Sequence, residues 1–230
     1  MRINSYSTNN QTTPTAFKAR NAEIRFADDV MRRVNNEFLK LSPTRIYSNL
    51  SDPKKMTNSQ NNSIKNLSQL IENLRNVRAN QKTDPSGYLR HLIWCVNKYK
   101  LGNCGESGSL AKLGLELNGI KSTKVSLWGY NGENVSTNLD HCFDIVNMAK
   151  NANPADIRTY GKKAYVVDLW SGFVDYVPNA FKRYEAEYAG DKRMLIIDKL
   201  GVKINDFDID SETLSIVDRL YPKLKLKPNK

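Results

Sequence analysis

The sequence predicts an α+β protein in which N-terminal helices pack on an antiparallel sheet from the C-terminal half. Apolar residues recur at helical spacing through the first half of the chain. Short β-branched and aromatic runs, bounded by Gly, Asn and Pro, follow in the second. The 230 residues, 40% of them hydrophobic, suffice for one sizeable core or a core with a helical annex. No internal period of the solenoid or propeller kind, and no long heptad run, is present.

Residues 1–20, rich in Asn, Ser and Thr, read as a disordered leader. From Ala22 the character changes. Ile24, Ala27, Val30, Met31, Val34, Phe38 and Leu41 form one apolar stripe and predict an amphipathic helix. The stretch 42–62 has turn chemistry and reads as a linker to a second helix at roughly 63–79, striped by Ile64, Leu67, Leu70, Ile71 and Leu74. Asp84, Pro85 and Ser86 are start signals for a third helix that carries Leu89, Leu92, Ile93, Val96 and Tyr99 inward and ends at Gly102. A fourth helix begins near Cys104.

The runs TKVSLWGY, DHCFDIVNM, KKAYVVDLW and GFVDYV then predict strands. A helix near 178–188, a strand in RMLIID and a helix in SETLSIVDRL complete the order. The expected divisions are a leader (1–20), a helical N-terminal annex (21–82), a catalytic core (83–221) and a basic tail (222–230).

Composition narrows the function classes. The first residues lack the apolar region of a secretory signal, and no apolar run is long enough to span a bilayer, so a soluble chain is expected. Three cysteines argue against a disulfide framework and for a reducing compartment, leaving the thiols free to react. A formal charge of +11 favours acidic partners, yet it is diffuse outside the tail PKLKLKPNK. No interleaving of aromatic and basic residues and no helix-turn-helix pattern marks a nucleic-acid site.

One constellation carries chemistry. A nucleophilic cysteine needs a base to take its proton and a third group to hold that base. Cys104 sits in a Gly102-Asn103-Cys104-Gly105 turn at a helix start, where unpaired amides and the positive dipole end favour a thiolate and can face an oxyanion. The flanking glycines allow a sharp turn and close substrate approach. Ser107, Gly108, Ser109 and Ala111 let the helix lie close to the strands, and Glu106 is expected to point away from the sulfur and favour the helix start. Alternation puts His141, Phe143 and Ile145 on one strand face and Cys142, Asp144 and Val146 on the other. Asp168 closes an apolar run, where a buried acid can orient an imidazole from a neighbouring strand; Asp144 is the weaker candidate.

GNCGE opening a helix, DHCFDIV as a strand and VVDLW after it, in the order Cys, His, Asp, resemble the transglutaminase-like branch of the papain-like cysteine enzymes. That group includes proteases, transglutaminases and bacterial effector or toxin deamidases. The resemblance spans roughly residues 86–177. It implies a papain-like core, with Cys104 as nucleophile, His141 as general base and acid, and Asp168 orienting His141. Trp170 fits the aromatic that often follows the acid, with Leu169 where the group usually has Pro. Asn103, Gly105 and Trp170 are the implied substrate or oxyanion residues; Trp94 and Asn97 lie upstream, selected by no motif.

These readings imply a thiol hydrolase or transferase acting on peptide or glutamine amides, with no cofactor and no metal. Its partner would be a protein substrate, favoured if acidic, and its setting the cytoplasm or that of an effector exported without a cleavable signal. His91 and Cys95, four apart on a helix, have metal-ligand spacing but lack further ligands. Two alternatives stay open: a non-enzymatic basic module binding nucleic acid or an anionic surface, and a Cys-His-Asp acyltransferase.

Overall fold

A computed structural model describes residues 22–38, 58, 62, 65–66, 69–70, 72–73, 85–100, 102–130, 135–154, 156–187, 192–197 and 211–221. The expected leader and basic tail lie outside these residues, as does most of the second helix. Of that helix Lys65, Asn66, Gln69, Leu70, Glu72 and Asn73 are described, and they are helical. Asn58 and Asn62, read as linker, are helical too. Asparagine's weak intrinsic preference is evidently overridden there.

The chain is a mixed helix and sheet protein. Helix α1 (Ala22–Arg33) continues through a π turn at Val34–Phe38, followed by α2 (Pro85–Tyr99) and α3 (Cys104–Leu117). The strands are β1 (Ser122–Tyr130), β2 (Val135–Val146), β3 (Tyr165–Asp168), β4 (Phe173–Tyr176) and β5 (Lys192–Ile197), with α4 (Val177–Glu187) before β5 and α5 (Ser211–Leu220) after it. The sheet order is β4-β3-β2-β1-β5, and every pairing is antiparallel. Each predicted strand is present, and the one from DHCFDIVNM begins earlier, at Val135.

Alternation along the strands separates two cores. Ile24, Val30, Leu92, Val96, Leu110 and Leu115 from the N-terminal helices pack with Val146, Tyr165 and Val167 on one face of the sheet. Val125, Phe143, Ile145 and Val166 face the other way, toward Ala180, Phe181 and Tyr184 of α4. With both faces covered, all of His141 to Val146 is buried, which explains why this strand reads as an apolar run interrupted by polar residues. Residues 22–38 of the expected annex are part of the first core, α1 lying against β3 and β4.

Helix α3 crosses β1 and β2 closely. A Cβ at Gly108 would stand 3.3 Å from Lys124 Cε and in ordinary contact, 3.7 Å, with Cys142 Cβ, so the helix lies close on the sheet and an added methyl asks the Lys124 side chain to give slightly. Toward its C-terminal end, Lys112 donates to the Ser122 carbonyl and pairs with Glu116. Helix and β2 therefore run the same way. Cys104, one turn (about 6 Å) before Gly108, therefore falls toward the His141 end of β2, but α3 covers the strand face that carries Cys142, opposite to the face of His141.

Candidate active site

His141 and Asp168 meet at that end of the sheet. β3 pairs with β2 through Asp144–Val167, so one further step of the register sets Asp168 across from Phe143, diagonal to His141 on the same face. The side chains close the diagonal: His141 Nε2 lies 2.6 Å from Asp168 Oδ2, with Asp168 fully buried and His141 5% exposed. Nε2 thus meets the carboxylate, and Nδ1 is the ring nitrogen turned away from Asp168.

Asp168 receives further donors. Tyr184 Oη donates to the same Oδ2 at 2.7 Å, and the Ser171 amide donates to Oδ1 at 2.8 Å. Burial alone would push the carboxyl up. The neighbouring His141 charge and the bonds from His141, Ser171 and Tyr184 outweigh it and hold Asp168 below its ordinary range. The carboxylate is thus kept ionised in a dry setting, where it can stabilise an imidazolium.

The turn after Asp168 is built to hold this arrangement. Gly172 donates its amide to the Asp168 carbonyl at 2.9 Å and adopts φ +77°, a conformation that L side chains strain to reach. Asn35, in the π turn ending α1, donates its side-chain amide to the Leu169 carbonyl at 2.7 Å. The Trp170 ring lies 5.3 Å from the His141 ring, and Tyr184 meets the imidazole edge-on at 5.7 Å. Ser171 Oγ is 3.5 Å from Nε2, at the limit of a hydrogen bond.

Cys104 opens α3 and is partly exposed, whereas Cys95 and Cys142 are buried. Neither of the expected flanking glycines has a positive φ; the left-handed residue before the helix is Lys100, at φ 56°. Glu106 turns back to accept the Asn103 amide at 3.0 Å, the helix-start role expected of it. That bond engages the Asn103 N–H, so an oxyanion at this helix start would have to be met by amides further along, where Gly105 is buried in the first turn. Asn97 Oδ1 accepts from Arg219 at 3.4 Å, and Trp94 is an exposed ring tilted against His91, edge-on to Tyr99 and under Lys98 Nζ.

The other titratable candidates have different roles. Asp144 lies on the opposite face of β2 from His141; fully buried and bonded to Ser122 Oγ at 3.0 Å, it is pushed up to about 7 by burial, against the opposing pull of Lys112 and Lys124. His91 Nε2 lies 3.3 Å from Cys95 Sγ, a pairing that resembles a catalytic dyad. Burial raises that thiol to about 11 in spite of Lys98, the reverse of activation. Among the described residues no group of three or more His, Cys, Asp or Glu is placed to hold a metal ion, and no helix is long and apolar enough to cross a membrane.

Tyr184 and Asn35 are the site residues that sequence reasoning missed. A buried aromatic on an amphipathic helix is indistinguishable from core, and a lone helical Asn carries no signature. No family model, curated protein or solved structure matches the chain.

Proposed function

We propose that this chain is a cysteine-dependent acyl-transfer enzyme with a papain-like or transglutaminase-like core, acting on protein amide bonds as a protease, glutamine deamidase or transglutaminase. The observation that carries the reading is the buried His141–Asp168 pair at 2.6 Å; Cys104 opens the helix packed on the opposite face of β2, toward the same end of the strand. A structural histidine needs no ionised, triply bonded carboxylate behind it. A general base does.

In this mechanism the Cys104 thiol gives its proton to His141 Nδ1, and the sulfur attacks the amide carbon to form a tetrahedral oxyanion facing the first-turn amides of α3. Collapse breaks the C–N bond as the imidazolium protonates the leaving nitrogen, leaving a thioester. Water, deprotonated by His141, then releases the acid and restores the thiol. If a second amine enters instead, the product is a new amide. Asp168 stays ionised throughout and holds the ring. The basic surface, +11 overall, would steer an acidic protein substrate. A protein-modifying effector is the setting that the sequence resemblance supports.

The test is turnover of peptide and glutamine-amide substrates, with mass spectrometry of the thioester, in wild type and Cys104→Ala. Acylation at Cys104 and loss of turnover in the variant are expected. Turnover retained by a folded Cys104→Ala protein would overturn the mechanism. Loading only from an acyl-CoA would assign an acyltransferase instead, while an inert Cys104 with steeply salt-dependent binding of nucleic acid or anionic lipid would assign a binding module.

A further inference from the structure

The environment of Asp168 holds more than a His–Asp pair requires. Tyr184 reaches it from α4, an element outside the Cys, His and Asp motifs. Its ring is already fully packed, stacked on Phe143 at 5.1 Å and set edge-on to Phe181 at 5.7 Å. A phenylalanine there would keep that packing without burying a hydroxyl, which costs free energy unless it is bonded. The hydroxyl donates to Asp168 Oδ2, the oxygen that also meets His141.

We propose that Tyr184 is a positioning residue of this site, fixing the Asp168 carboxylate oxygen that meets His141 and moderating the negative charge that the imidazole feels. The proposal rests on reading His141 and Asp168 as a functional pair. A carboxylate with no other donor on Oδ2 would hold the imidazolium so firmly that it gives up its proton reluctantly, whereas a general base must both take and return one. The phenol draws charge from the shared oxygen. The Ser171 amide holds the other oxygen and prevents the carboxylate from turning away.

The experiment is a ¹⁵N NMR titration of the imidazoles in the full chain carrying Cys104→Ala, so that no thiolate couples to the ring. The chain has two histidines, and His91, on α2, serves as the internal control. Tyr184→Phe removes the donor and should raise the His141 midpoint by about half a unit or more, while His91 stays in place. Site-specific 3-fluorotyrosine at Tyr184, a more acidic phenol and stronger donor, should lower it. Opposite shifts are a result that packing damage does not produce. Unchanged His141 midpoints, or shifts of the same sign in both proteins, would overturn the proposal. Should Tyr184→Phe fail to fold, the fluorotyrosine protein decides alone by the sign of its shift. An unreactive Cys104 in the wild type would sink the enzymatic reading without touching this titration, so the two failures are distinguishable.

Discussion

Asn35 donates its side-chain amide to the Leu169 carbonyl at 2.7 Å, tying the end of the first helix to the turn that carries Trp170 and Ser171. The N-terminal helix thereby braces the candidate site from outside the motifs that define it. Asn35→Ala is predicted to cost about 1 kcal/mol, the usual net worth of one such bond. Amide exchange should quicken at Ser171 and Gly172, whose N–H groups bond Asp168. Unchanged exchange at both positions would show that the turn stands without Asn35.

Gly172, at φ +77°, should tolerate substitution poorly. Gly172→Ala forces a Cβ into a left-handed conformation and is predicted to cost about 1–2 kcal/mol in urea denaturation. Gly119, also at positive φ with open space around it, is the comparison site. A similar cost at both would place the penalty in the backbone alone, while a larger one at Gly172 reports the loss of the Asp168 turn.

Asp168→Ala strips an acceptor from three donors, two of them the buried side chains of His141 and Tyr184, and is predicted to destabilise by about 3–5 kcal/mol. The pH dependence has a definite sign. Because the folded carboxyl titrates below its unfolded value, its stabilisation is present above about pH 4 and is lost as pH falls through the folded value. Wild type and Asp168→Asn should therefore converge in stability on acidification. A constant gap down to strongly acidic pH would contradict the assignment.

Asp144 has the opposite sign. Its folded value is raised to about 7, so the folded protein binds the proton more tightly and loses stability as pH rises from about 4 to 7. Asp144→Asn should remove that slope. Relative to wild type it should gain on the order of 2 kcal/mol between pH 5 and pH 8, read from urea midpoints. Parallel curves for the two proteins would show that Asp144 titrates normally.

The legible parts of this fold were those with local causes. VVD and FDIV announce strands through β-branched and aromatic content, and alternation correctly divides Phe143 and Ile145 from Val146. Alternation also puts His141 and Asp168 on one face once β2 and β3 pair. What escaped was non-local. The β5–β1 pairing joins segments separated by β2, β3, β4 and α4, and no local pattern encodes it. Tyr184 reads as core because most of it is core; only its hydroxyl is engaged elsewhere. The turn before Cys104 seemed to belong to its glycines, yet Lys100, directly after α2 ends at Tyr99, bears the left-handed conformation.

The central claim is that Cys104 and His141 act as an activated pair. Its most direct measurement is the pH dependence of iodoacetamide alkylation at each cysteine, followed by mass spectrometry, in wild type and His141→Ala. The account predicts fast labelling of Cys104 well below pH 8, lost in His141→Ala, with Cys95 and Cys142 slow throughout because both are buried. Slow labelling of Cys104 with an ordinary thiol midpoint, indifferent to His141, would contradict it and leave the helix start as scaffold.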